Sequence, residues 1–211
     1  MNPGSQHTDD APRAPMVGDH LAMDLINTQA RSSAGELTDY WSSGDAVFGW
    51  LQQQGAVPAS AAGKTVDRTD LLAQAKALRT LAQELVGARK QGAPGDVARL
   101  NGYLHAHRTS PHLARDDAGA LALTRIACDA TAASLLGPVA EAVAQLLVEG
   151  DFARVKQCEH PDCILWFYDR TKARRRRWCS MALCGNRQKA ARFRKRSAAA
   201  APPPRLDGAG S

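Results

Sequence analysis

The chain of 211 residues lacks the usual marks of an exported, membrane-bound or motif-bearing catalytic protein. Residues 1–15 are polar, carry Asp9, Asp10, Pro12 and Arg13, and contain no apolar core segment, so no secretory signal is expected. No stretch reaches the apolar length of about 20 residues that a bilayer-crossing helix needs. GxSxG, HExxH and phosphate-loop patterns are absent. No segment repeats at a fixed period. Together these absences predict a soluble, reduced, cytoplasmic chain with no membrane partner and no recognisable active site.

Acidic residues are also scarce, but only in one place. Residues 1–150 carry 12 Lys and Arg against 16 Asp and Glu, a net −4. Residues 151–197 carry 14 against 4, a net +10, and the only offsetting acids are Asp151, Glu159, Asp162 and Asp169. The overall +6 therefore hides a mildly acidic body joined to a very basic module. Segregation of this kind points to a polyanion partner for the module alone.

Within the body the apolar spacing is helical. Leu21, Leu25 and Ile26 open a helical segment that should end near residues 32–35. Val47, Phe48 and Leu51 mark a second helix, with Ser43 or Asp45 as N-cap and Gly55 as stop. A loop with Pro58 and Gly63 should follow over 56–68. Leu71, Leu72, Ala75, Leu78, Ala82, Leu85 and Val86 then line one face of a longer helix, closed by a turn at 91–95. Val97, Leu100 and Leu104 mark another helix, ending by Thr109. The turn-forming string DDAG at 116–119 and weak alternation after it predict a short hairpin over 112–125. Helix should resume at Ile126, break at Gly137-Pro138, and restart with Pro138 in its first turn. Gly150-Asp151 is the expected boundary. The expected fold class is mainly α: a leader without order over 1–16, a helical domain over 17–150, a small ββα-like, treble-clef-like module over 151–197, and a low-complexity tail over 198–211.

Cysteine supplies the sharpest signal. Cys158, Cys163, Cys179 and Cys184 follow the pattern C-x4-C-x15-C-x4-C. Two short-spaced pairs separated by a hairpin-sized gap suit two knuckles joined by one tetrahedral zinc ion per chain. Two disulfides are the alternative, disfavoured by the odd total of five cysteines and the lack of an export signal. Cys128, alone in an alanine-rich stretch, is expected to be a buried small apolar residue in a helix. His160, inside the first knuckle, is an alternative ligand, but four cysteines are the simpler set. Four thiolates would close the coordination sphere, which argues against a catalytic zinc.

Between the cysteine pairs, residues 164–168 are apolar and strand-like, 169–172 turn-forming, and 174–178 lead back. A hairpin made of these two arms would bring the knuckles together. So small a unit has little core, and metal ligation should supply much of its folding free energy. Phe167 and Trp178 are the expected packing partners beside the metal. After Cys184 a helix is expected, with Ala190 and Phe193 facing the module's interior. Arg174, Arg175, Arg176 and Arg177 form one candidate nucleic-acid contact cluster. Arg187, Lys189, Arg192, Arg194, Lys195 and Arg196 form a second, on the helix. Concentrating so much like charge is costly without a polyanion such as DNA or RNA. Exposed Trp166, Tyr168 or Trp178 would favour RNA, which is commonly bound by stacking. A deep polar pocket around His20, Asp24 and Asn27 would instead favour an enzyme with its active site in the helical body. His105 and His107 are two apart, so they share no helical face.

The string WCSMALCGNRQK at 178–189, preceded by Cys158, Cys163, Phe167 and Asp169, resembles the CGNR zinc-finger family. The string MDLINT at 23–28 resembles the start of the helical ABATE domain that precedes this finger in family members. The resemblance implies a bacterial, stress-related transcription regulator with a zinc-bound, DNA-binding end and a helical domain for sensing a small-molecule effector or for homodimerisation. Nucleoid association in the cytoplasm would follow. An RNA-binding or ribosome-associated protein is the alternative. The resemblance assigns the zinc to Cys158, Cys163, Cys179 and Cys184, makes Arg187 a shared nucleic-acid or structural contact, and gives Asn186 the role of capping or bracing the knuckle. Family members often carry Asn where this chain has Ala173. Asn27 and Thr28 either cap a turn or line a ligand pocket.

Overall fold

The computed structural model describes residues 13–31, 35–57, 66–115 and 118–199. The expected leader before residue 13, most of the loop with Pro58 and Gly63, the Asp116-Asp117 turn and the tail from 200 lie outside them.

The chain is mainly α, as its periodicity predicts. Five helices build the body: α1 (Leu21–Ile26), α2 (Gly44–Gln53), α3 (Arg68–Lys90), α4 (Ala98–Ala106) and α5 (Ala132–Glu149). Two antiparallel hairpins interrupt them, β1 (Gln29–Arg31) with β2 (Leu37–Asp39), and β3 (Thr109–Arg115) with β4 (Leu121–Ala127). The basic module adds β5 (Val155–Gln157), β6 (Trp166–Tyr168), a π-helical turn (Met181–Gly185) and α6 (Asn186–Ala199).

Helix α3 shows how local chemistry sets the elements. Asp67 caps its start by accepting from Thr69 N (2.8 Å) and Asp70 N (3.3 Å). Leu71, Ala75, Leu78, Ala82 and Leu85 recur at helical spacing and are all buried. Arg89 and Lys90 sit in the last turn, where cations are favoured. Gly92, at φ +71, then takes the left-handed conformation that ends the helix, and Ala93 N reaches back to Ala88 O at 2.9 Å. Helix α2 begins at Ser43, whose hydroxyl accepts from Ala46 N, and Gly55 follows its end at φ +68.

Helix α5 is the centre of the body, packing against α1, α3 and α4. It corrects two expectations. It runs through Pro138 without a break. Proline removes the donor for the carbonyl four residues earlier, here Ser134. The His107 ring takes that carbonyl instead, with Nδ1 at 3.2 Å. Because a carbonyl only accepts, this nitrogen carries the proton. Gly137 makes the contact fit, since a Cβ there would lie 2.1 Å from the imidazole. Helix α5 is also 18 residues long and apolar enough to cross a bilayer, contrary to the expectation that no stretch is. Half of it is buried against α1, α3 and α4, where Leu136, Val139, Ala140 and Val143 are completely buried, while Val148 is exposed.

Other differences are local. Helix α1 stops at Ile26, and the chain turns into β1, where periodicity predicted helix to about residue 32. Ile126 lies in β4, so helix resumes only at Ala132. Cys128 follows β4 and is exposed, neither helical nor buried. Its backbone N–H bonds Arg108 O at 2.8 Å, which extends the hairpin ladder one step past β4.

Candidate metal centre and its basic face

The metal-binding module is built on a hairpin that differs from the expected one. β6 pairs upstream with β5, in the register Val155↔Tyr168, Lys156↔Phe167 and Gln157↔Trp166. The first knuckle is the turn of this hairpin, closed by Cys158 N to Leu165 O (2.9 Å), with Cys163 N to His160 O (2.9 Å) inside it. Residues 174–178 form no strand. Side chains hold them in place. The Lys156 ammonium donates to Arg174 O (2.6 Å) and Arg176 O (3.4 Å), and Asp169 Oδ2 accepts from Arg176 N (3.0 Å).

The two faces of the short sheet have different partners, as strand alternation requires. Val155, Trp166 and Tyr168 pack on the helical body. Phe167, on the opposite face and fully buried, packs with Leu165, Cys158, Cys179 and Cys184, and Trp178 lies beside them. Ala30, Val17 and Tyr40 from the body complete this second core.

The second knuckle runs from Cys179 into the π-helical turn. Ser180 caps it, its hydroxyl accepting from Ala182 N (3.1 Å) and Leu183 N (3.4 Å). Its carbonyl accepts from Cys184 N at 3.0 Å. Asn186, expected to cap or brace the knuckle, is the C-cap of this turn, its backbone N–H donating to Met181 O while its side chain is exposed.

All four sulfurs lie within 4.8 Å of one another, and no cysteine is in a disulfide. Cys163 Sγ is 3.8 Å from Cys179 Sγ, and Cys179 Sγ is 3.5 Å from Cys184 Sγ. A tetrahedral ion with Zn–S bonds of about 2.3 Å places its sulfurs roughly 3.8 Å apart, so the spacing fits one zinc. The four thiols also shift one another strongly. Hydrogen bonds from Cys163 and then Cys179 hold the Cys158 thiol far below its ordinary range. The interaction with Cys158 pushes Cys179 up, and burial pushes Cys184 up to about 12. Four thiolates at this distance need a divalent cation among them. His160 is no part of this cluster: its Nδ1 accepts from Asp162 N at 3.3 Å.

The acid Asp169 organises the basic segment. It is fully buried and accepts from Lys156 Nζ (2.8 Å), Thr171 Oγ1 (2.6 Å), Thr171 N (3.0 Å) and Arg176 N. Burial alone would push its carboxyl up, but the Lys156 and Thr171 hydrogen bonds outweigh it and hold the group well below the usual carboxylate range.

The candidate contact residues divide in two. Arg176 turns inward. Its guanidinium donates to Val17 O (2.9 Å), Trp178 O (3.0 Å), Cys179 O and Asp19, and lies 4.2 Å from the centre of the Phe167 ring. Arg174 pairs with Asp151 at 3.0 Å, and Arg177 with Glu159 at 2.6 Å. Arg175 is exposed and makes no ion pair among the described residues. In α6, Arg187, Lys189, Arg192, Arg194 and Arg196 are all exposed, and among the described residues only Arg187 is tethered, by Nε to Leu183 O at 3.2 Å. The α6 segment contains no acid. Phe193 is 65 % exposed, against the expectation that it faces inward, because among the described residues α6 packs chiefly on the π-helical turn.

Among the described residues, His20, Asp24 and Asn27 line neither of the two main cavities. Asn27 holds β6 from the side: its Nδ2 donates to Trp166 O and its Oδ1 accepts from Trp166 N, both at 2.8 Å. Thr28 caps the end of α1 by donating to Leu25 O (2.8 Å) and accepts from Arg79 (3.0 Å). Arg79 in turn forks onto both oxygens of Asp39 at 2.9 and 2.7 Å. Asp24 accepts from Gly18 N (2.8 Å), and burial pushes its carboxyl up. His20 caps α1 and packs on the Tyr168 ring, with burial lowering its pKa. The interface residues Asp19, Arg79 and Asp39 carry no motif. The polar string D-x-x-N-T inside an otherwise apolar run was the one signal that this stretch contacts something polar.

A helical body clamped to a four-cysteine zinc module is the class that this geometry defines. A family model for ABATE, described as "Putative stress-induced transcription regulator", matches residues 19–150, and one for the CGNR zinc finger matches residues 154–197. The chain belongs to the ABATE family and carries a CGNR zinc finger at its C-terminal side. No curated protein matches it. Neither family is one of enzymes.

Proposed function

We propose that the chain is a zinc-dependent DNA-binding protein, a bacterial transcription regulator of the cytoplasm and nucleoid. Its basic module (151–197) grips a duplex, and its helical body (17–150) senses a small molecule or pairs with a second copy. One observation carries the reading: α6 is acid-free, its Arg187, Lys189, Arg192, Arg194 and Arg196 are exposed, and it is anchored through a π-helical turn to the cysteine cluster. A helix so presented suits a groove, with flanking cations on phosphates. Arg187 and Arg194, seven apart on one helical face, are the base-reading or anchoring pair. Lys189, Arg192, Lys195 and Arg175 serve the backbone.

DNA is favoured over RNA because the candidate stacking residues are occupied. Trp166 and Tyr168 pack on the body, and Trp178 packs beside the cysteines. Homodimerisation suits the β3–β4 hairpin, where the cross-strand partners Leu113 and Leu123 and the neighbouring Leu121 are exposed. The test is a binding titration of the zinc-loaded chain on duplex DNA and on RNA across several salt concentrations, before and after chelation. Duplex binding that falls steeply with salt and is lost with the metal supports the proposal. Absence of salt-dependent binding to either nucleic acid would make the module purely structural.

A further inference from the structure

The β3–β4 hairpin stands off from the helices as an arm. Its strands pair with each other along their whole length and pack closely on no other element among the described residues. A two-stranded hairpin is marginally stable in water unless something covers its apolar face. Opposite residues of an antiparallel pair share a face, so Thr109, Pro111, Leu113 and Arg115 lie on one side with their partners Ala127, Arg125, Leu123 and Leu121. Toward the tip this face is bare, with Leu113, Leu121 and Leu123 61 %, 65 % and 76 % exposed. Three large apolar side chains grouped on one strand face are a patch, not scattered singles. Toward the base, through Thr109, Arg125 and Ala127, the hairpin lines a cavity of about 850 Å³. The wall that α4 and α5 give this cavity includes the half-buried Leu104, Pro138 and Ala144.

We propose that two copies of the chain exchange these arms, the leucines at each tip entering the cavity at the base of the other copy's hairpin. This rests on the homodimer reading above and gives it a geometry, while DNA binding by the basic module stands or falls separately. The two hairpins lie antiparallel about a two-fold axis, leucine face to leucine face. A second copy is the fitting occupant because the bare leucines and the apolar cavity lie along one face, a strand length apart. Each copy offers what the other's arm and cavity need, and a closed two-fold pairing meets both at once. Charge agrees. Arg115, at the outer end of the face, donates to Gly119 O at 2.8 Å and pairs with no acid among the described residues. Glu141 lines the cavity, is exposed and pairs with no base among them. Antiparallel arms bring the one to the other twice. Size agrees as well. Strands of this length run about 24 Å, so the two faces with the cavity walls cover on the order of 1,000 Å², the extent of a weak, reversible interface.

The test is sedimentation velocity on the zinc-loaded full chain from about 1 to 100 µM, where a weak dimer should form reversibly. Leu123→Glu should weaken it by at least about tenfold. Arg115→Glu and Glu141→Arg should each weaken it by about fivefold, and an equimolar mixture of these two variants should return to near wild-type affinity, because each arm then meets the opposite charge in the other chain. All three positions are exposed, so the variants should melt as the wild type does. Hydrogen exchange on the unmutated chain gives a second measurement: amides of β3 and β4 should become more protected as concentration rises through the dimerisation range. A dimer that ignores Leu123→Glu, or a mixture no tighter than either charge variant alone, would overturn arm exchange and leave homodimerisation to another surface. A chain that stays monomeric up to about 100 µM would overturn both.

Discussion

The side chain of Asn27 closes two hydrogen bonds with the backbone of Trp166, 139 residues away, at 2.8 Å each. An amide is the one side-chain group that offers a donor and an acceptor side by side, so it can do for β6 what a neighbouring strand would do. The last turn of α1 thereby holds the hairpin that carries the first two cysteines. Tyr168 N adds a third bond, to Gly18 O at 2.7 Å.

Asn27→Ala leaves the Trp166 N–H and C=O without partners at a half-buried site. Unpaired buried groups of this kind cost about 1–3 kcal/mol each, and partial hydration should bring the total toward the lower end. The expected outcome in chemical denaturation is a loss of about 2 kcal/mol, with hydrogen exchange accelerating first in β6. Asn27→Asp keeps the acceptor and loses the donor, so it should fall between wild type and Ala. An Ala variant as stable as wild type would mean that the clamp contributes nothing.

Much of the fold was legible because it follows local rules. Helices α2, α3 and α4 lie where apolar spacing, Ser43 and the glycines place them. The cysteine pattern anticipated a cluster that the structure assembles within 4.8 Å. What escaped was set by tertiary contact. Helix α1 ends early because Thr28 caps it against Leu25 and the following strand pairs toward Asp39, the partner of Arg79. Pro138 reads as a break unless His107 is known to take the freed Ser134 carbonyl. The partner of β6 was misplaced because the residues after the turn, rich in arginine, are held by Lys156 and Asp169 instead of by a ladder. Phe193 reads as a core residue only if something covers that side of α6.

Zinc removal tests the site and the interface together. Cys184→Ser should abolish the single zinc in metal analysis, whereas Cys128→Ser, at an exposed position beyond β4, should leave it unchanged. The β5–β6 sheet contributes Val155, Trp166 and Tyr168 to the core of the body, and the body lends Ala30, Val17 and Tyr40 to the cysteine side. Chelation should therefore keep most of the far-UV helical signal, which comes from α1–α5, and also lower the melting temperature of the body by several degrees, about what a loss of 1–2 kcal/mol produces. A melting temperature indifferent to chelation would show that the two parts do not support each other.

Acid should weaken the protein in a defined window. Burial of Asp39 raises its pKa, but the Arg79 fork and the Trp41 N–H outweigh it, leaving the carboxyl at about 2. Asp169 is depressed in the same sense. A carboxylate whose pKa is lower folded than unfolded binds fewer protons in the folded state. Its contribution is fully present above the ordinary value of 3.8 and is lost as pH falls from there toward about 2. Stability measured by denaturation should thus be flat near neutrality with respect to these two groups and decline below about pH 4. Asp39→Asn should remove part of that slope and cost about 3 kcal/mol at neutral pH, because it leaves the guanidinium of Arg79, which is 3 % exposed, without its countercharge. An unchanged acid slope in Asp39→Asn would reject its assignment to this pair.

The neighbours Arg175 and Arg176 should behave oppositely. Arg176 reaches back to Val17, Trp178 and Cys179 and lies over Phe167, so it ties the N-terminal strap to the second knuckle. Removing it leaves those carbonyls unpaired and should cost about 2–3 kcal/mol of stability, with weaker zinc retention under competition by a chelator. Measured on the folded, metal-loaded protein, its DNA affinity should keep the wild-type salt slope, since a guanidinium already bonded to backbone carbonyls displaces no counterion from a phosphate. Arg175 is exposed and unpaired among the described residues. Arg175→Ala should leave stability within about 0.5 kcal/mol of wild type. It should weaken specific and scrambled duplexes alike and lower the salt slope by about one unit, the signature of a lost phosphate contact. Paired melting curves and salt titrations on the two variants decide the matter. A reduced salt slope in Arg176→Ala, or a large stability loss in Arg175→Ala, would reverse the two assignments.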